Sequence, residues 1–85
     1  MSRYMIDVRI TPRAGILDPQ GKAVANALRS LDFEGVDDVR VGRLLRLRLA
    51  APSAEAASEM ADAMCRQLLA NPVTEDYDIQ LRSES

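Results

Sequence analysis

The sequence predicts an α+β domain of order β-α-β-β-α-β, an antiparallel sheet with two helices on one face. Three observations carry that expectation. Residues 4–11, 39–49 and 77–81 alternate apolar and polar side chains with the period of a strand. Residues 19–31 and 53–70 instead place apolar residues three or four apart and open on helix-capping residues. Each predicted strand has a single apolar side, as in a sheet covered on one face only.

In the first strand Tyr4, Ile6, Val8 and Ile10 share one side, and Met5, Asp7, Arg9 and Thr11 the other. Pro12 ends the ladder because it has no N–H to donate. Asp18 and Pro19 then start a helix: the carboxylate accepts an orphan N–H, and proline at the first helical position loses nothing. Val24, Leu28 and Leu31 form the stripe expected to face the core. After a turn at Asp32–Gly35, Val39 and Val41 suggest a short second strand. Gly42 turns the chain, and Leu45, Leu47 and Leu49 make a third strand. Ser53 caps the second helix, whose buried stripe is Ala57, Ala61, Met64 and Leu68, with Asp62–Arg66 as a surface pair. Asn71 and Pro72 stop it. Tyr77, Ile79 and Leu81 mark the last strand. The order is that of ferredoxin-like folds, with one domain over residues 1–82 and a polar tail at 83–85.

Composition narrows the functions available. The 85 residues include 11 basic and 13 acidic side chains, for a net charge of −2. That balance argues against nucleic acid as a partner. Both tyrosines fall on the core side of their strands, leaving no aromatic platform for bases. Outward Arg and Asp on neighbouring strands are expected to pair with one another. There is no His and one Cys, which leaves acid–base, metal and disulfide chemistry poorly supplied. Cys65, beside the apolar helical stripe, reads as small core filler. The absence of a long apolar run or a basic-then-apolar leader points to a cytoplasmic protein with no membrane partner. The residues alone leave open a small-molecule-binding regulatory module. An acyl-phosphate hydrolase built on Arg13 with Asn26 or Asn71 is the weakest reading.

Three ordered motifs add a resemblance. Gly15-Ile16-Leu17-Asp18-Pro19-Gln20-Gly21-Lys22-Ala23-Val24 followed by Ala27-Leu28, then Val36-Asp37-Asp38-Val39-Arg40-Val41-Gly42-Arg43, then Leu68-Leu69-Ala70-Asn71-Pro72-Val73-Thr74-Glu75-Asp76-Tyr77 strongly resemble the PurS family. Arg43 stands where that family usually has Lys, and Thr74 where an apolar residue is common. The resemblance implies a non-catalytic small subunit of phosphoribosylformylglycinamidine synthase, an ATP- and glutamine-dependent carbon–nitrogen ligase of purine biosynthesis. It implies a homodimer or tetramer that bridges a large ATP-dependent synthetase subunit and a glutaminase subunit. ATP, Mg²⁺ and glutamine would be used by those subunits, with no cofactor held by this chain. Carried onto these residues, Gln20, Gly21, Lys22, Arg40 and Arg43 are the partner-contact candidates. Asp18, Pro19, Gly42, Asn71 and Pro72 are expected to be structural.

Overall fold

The eleven-residue strand Ser2–Pro12 (β1) is the axis of the computed structural model, which describes residues 1–84. Helix α1 follows at Pro19–Ser30, strand β2 at Arg43–Ala51, helix α2 at Ala54–Met64 and strand β3 at Glu75–Glu84. The sheet order is β2-β1-β3, with both ladders antiparallel. Ile6 stands opposite Leu47 and Leu81, and Val8 opposite Leu45 and Ile79, so the apolar sides of the three strands coincide. Tyr4, Ile6, Val8 and Ile10 are buried under α2, which contributes Ala57, Ala61 and Cys65. Small helix residues let the helix approach the β-branched strand surface closely. The expected α+β fold, an antiparallel sheet with two helices, is present.

Four details differ from the expectation. First, only α2 lies on the sheet. β1 spans about 36 Å at strand rise, yet the molecule measures 52 × 26 × 14 Å, because α1 projects from the Pro12 end. The radius of gyration is 16.3 Å, against about 12 Å for a compact chain of this length. Val24 and Leu31 on the expected stripe are therefore 42% and 67% exposed, and α1 buries only Gly21 and Ala25.

Second, residues 38–42 form no strand. Their alternation is real, but the backbone groups that a ladder would use are taken. The Asp18 carboxylate accepts from the Val41 N–H at 2.9 Å, and Arg29 donates to the carbonyls of Val36 and Asp37 at 3.1 and 3.2 Å. The segment is a strap across α1.

Third, α2 closes in a π-helical turn, Cys65–Leu69, where the Ala70 N–H bonds the Cys65 carbonyl at 3.1 Å. The wider turn shifts the helical phase. Cys65 and Ala70 are buried, while Leu68, expected inside, is 83% exposed. Fourth, β3 runs through Ser83 to Glu84, so the expected tail is largely strand; Ser85 lies outside the described residues.

Candidate functional site

Asp18 organises the motif that sequence singled out. One carboxylate oxygen accepts from the Gly21 N–H at 3.0 Å and caps α1; the other holds the strap through Val41. Pro19 occupies the first helical turn, as expected. Gly21 is buried, and a Cβ there would lie 2.1 Å from the Val39 carbonyl oxygen and 2.5 Å from Asp18 Oδ2. The glycine is needed so that strap and helix can touch. Gly42 does the same at the sheet: a Cβ would meet the Ile10 carbonyl oxygen at 2.3 Å. At the other end of α1, Arg29 bridges Asn26 and the strap carbonyls. Polar stitching, more than apolar packing, holds this unit together.

Between the β1–α1 loop, α1 and the strap lies a cleft of about 510 Å³. Lys22 and Arg40 line it, together with Arg13, Arg29, Asp37 and Asp38. Arg40 is drawn to Asp38 at 3.3 Å. Arg13 sits 3.2 Å from Asp76, and Asn26 accepts from Arg29 at 3.1 Å, so these groups are engaged in structural contacts. Gln20 is exposed in the first turn of α1. The structure thus brings Lys22 and Arg40 to one cleft, leaves Gln20 on the surface and places Gly21 inside.

Arg43 belongs to a second cluster. It donates to both Glu75 oxygens at 2.9 and 3.1 Å and to the Leu69 carbonyl at 3.1 Å. Glu75 also accepts from the Asn71 N–H at 2.8 Å, and Asn71 Oδ1 from Val73 N–H at 3.0 Å. Asn71 and Pro72 form the turn that this cluster ties to β2. All three contacts come from one terminal nitrogen of the guanidinium.

Reading the sequence missed Arg29 as the clasp, Asp18 as a two-handed anchor and Tyr77 as a donor to Asp62 at 2.5 Å. The one available signal was Arg in the last turn of α1, near carbonyls that need donors. The Asp62–Arg66 pair, by contrast, forms as expected at 2.8 Å. Burial, and then the nearby Asp62 charge, pushes the Cys65 thiol up, in keeping with a core role. No group of three or more His, Cys, Asp or Glu among the described residues is placed to hold a metal ion.

The Gly21 and Val41 N–H groups hold the Asp18 carboxyl below its ordinary 3.8. Asp7, chiefly through its Arg46 hydrogen bond, and Asp62, chiefly through the Tyr77 hydroxyl, are lowered too. A carboxyl whose pKa is lower folded than unfolded binds fewer protons in the native state. Its stabilisation is complete above the unfolded value and is lost as pH falls through the folded one. The urea midpoint is therefore expected to be flat from about pH 7 to 5 and to fall steeply below about pH 4. Asp18→Asn should lower the neutral-pH midpoint and flatten the acid limb; an unchanged limb would remove Asp18 from this account.

Comparison with known proteins follows the same lines. The PurS profile, described as Phosphoribosylformylglycinamidine (FGAM) synthase, matches residues 5–83. A PurS subunit of that synthase from Synechocystis is 42% identical over 78 residues, covering 92% of this chain and 78% of the relative. One from Mycobacterium leprae is 42% identical over 84 residues, covering 99% and 100%. Among solved structures, a chain of PurLQS from Thermotoga maritima superposes with a TM-score of 0.88 at 28% identity, covering 96% of this chain and 100% of that one.

Proposed function

This chain belongs to the PurS family, and from that membership we infer that it is the small subunit of phosphoribosylformylglycinamidine synthase in purine biosynthesis. The observation that carries the inference is the match across residues 5–83, supported by the likeness to a chain of a multisubunit assembly. It works as one subunit among other synthetase subunits. In our reading its role is to bridge a large ATP-dependent subunit and a glutaminase. The chemistry, with its ATP, Mg²⁺ and glutamine, belongs to those partners.

A bridging subunit has a physical reason to exist. Ammonia freed at one active site is diluted and protonated unless the second site is held in register with it, and positioning of that kind is worth many kcal/mol. A molecule 52 Å long, with α1 extending beyond a sheet built on an eleven-residue strand, has the reach for such a span. We further propose that copies of the chain associate through the segments flanking α1, because Leu17 before it and Leu31 and Phe33 after it are 79%, 67% and 57% exposed. A cytoplasmic setting is part of the same proposal. No helix among the described residues is long and apolar enough to cross a membrane.

The test is synthesis of formylglycinamidine ribonucleotide by the purified large and glutaminase subunits, with glutamine, ATP and Mg²⁺, with and without this chain. Glutamine-dependent activity is expected only when the chain is added, while an ammonia-fed reaction proceeds without it. If the chain makes no difference to a competent pair, the bridging role fails and a ligand-binding regulatory role takes its place.

A further inference from the structure

The second face of the sheet is covered by no element among the described residues. α2 lies over the side bearing Ile6 and Val8; the opposite side carries Asp7 and Arg9 from β1, Arg46 and Arg48 from β2, and Asp78 and Arg82 from β3. Asp7 is only 4% exposed although it lies on this open face. Arg46 reaches it from one neighbouring strand at 2.8 Å and Arg82 from the other at 3.5 Å. A bulge between Met5 and Ile6 leaves Arg82 out of the β1–β3 ladder, free to reach diagonally. The arrangement hides the negative charge and holds two guanidinium groups above it. Their side chains remain 57% and 46% exposed.

Arg9 and Arg48 stand on the same face, both exposed, and neither makes an ion pair among the described residues. Leu44, 58% exposed, adds an apolar element. The outward side of α2, by contrast, shows Glu55 and Glu59. In a chain of net charge −2, the open face thus carries four arginines against Asp7 and Asp78. Arginines held in place over an anchoring carboxylate, beside exposed apolar surface, have the composition of a protein-binding patch.

We propose that this open sheet face docks a carboxylate-rich surface of one of the larger subunits of the synthase, with Arg9 and Arg48, which make no ion pair among the described residues, as its contact cations. The proposal rests on the small-subunit reading above. Nucleic acid fits less well, because Tyr4 and Tyr77 lie on the α2 side and the face has no stacking platform. A second copy presenting the same face meets like charge.

The experiment measures binding of the full chain to the purified larger subunits at about 50 and about 300 mM salt. The wild type should bind more weakly at the higher salt. Arg9→Glu with Arg48→Glu should raise Kd at least about tenfold and melt somewhat below the wild type, because residue 9 stands opposite Asp78; Arg9→Gln with Arg48→Gln should fall between in Kd and melt like the wild type. Glu55→Lys with Glu59→Lys, on the other layer, should bind as wild type or more tightly. A wild type that does not assemble overturns the small-subunit reading. A wild type that assembles while the reversal variant binds equally well overturns only the docking proposal. It also falls if the reversal changes the sedimenting mass of the chain alone, or if wild type binds a single-stranded oligonucleotide through these arginines.

Discussion

Gly21→Ala is expected to destabilise the α1 unit by about 1–3 kcal/mol, although alanine is the better helix former. Propensity alone favours the substitution by about 1 kcal/mol. Against it stands a Cβ placed 2.1 Å from the Val39 carbonyl oxygen, a backbone atom that yields only if the strap moves. Overpacking of this kind costs about 1–3 kcal/mol. Moving the strap also stretches the 2.9 Å bond from Val41 to Asp18, whose other oxygen caps the helix. Losing a cap costs about 1 kcal/mol more. The steric and capping terms together exceed the propensity gain. Amide exchange over residues 20–30 and urea unfolding followed by far-ultraviolet circular dichroism read the effect. A variant as well protected as the wild type would show that the contact is not rigid.

Ile6→Ala and Leu31→Asp should separate two kinds of apolar residue that look alike in the sequence. Ile6 is fully buried on the central strand, so truncation leaves a cavity costing about 2–5 kcal/mol. A domain of this length has a total stability of about 4–13 kcal/mol, so the loss is a large fraction. Leu31 is 67% exposed, and replacing it should change the stability of a dilute single chain by no more than about 0.5 kcal/mol. Its effect should appear instead in sedimentation, as a fall toward the 9.4 kDa mass of one chain. An unchanged sedimenting mass for Leu31→Asp would remove the C-terminal end of α1 as the place where copies meet. A mild Ile6→Ala would mean that the α2 layer can collapse onto the gap.

The candidate site was partly legible for the same reason that the elements were. Asp18-Pro19 predicts a helix start from the chemistry of orphan N–H groups, and the structure has one at Pro19. Arg and Asp alternating on facing strands predict cross-strand pairs, and Asp7 pairs with Arg46 and Arg82. The motif marks Gly21 as a partner-contact candidate, and the structure buries it against the Val39 carbonyl. Nothing local distinguishes a glycine that receives a partner from one that receives its own chain. Arg29 was passed over because its acceptors are carbonyls of residues seven and eight positions away, which carry no side-chain signature.

Period-two alternation determined β1, β2 and β3, and capping chemistry with three-to-four spacing determined α1 and α2, since these signals depend on near neighbours only. The tertiary structure alone decided that α2 covers the sheet while α1 projects beyond it, that Val39 and Val41 serve a strap instead of a strand, and that Leu68 faces outward after the π-helical turn. An apolar stripe records that a surface needs covering, and the covering surface is chosen by the whole chain. Likewise, alternating side chains describe faces, whereas a strand exists only where backbone N–H and C=O groups find a ladder. In residues 36–41 Asp18 and Arg29 had already taken them.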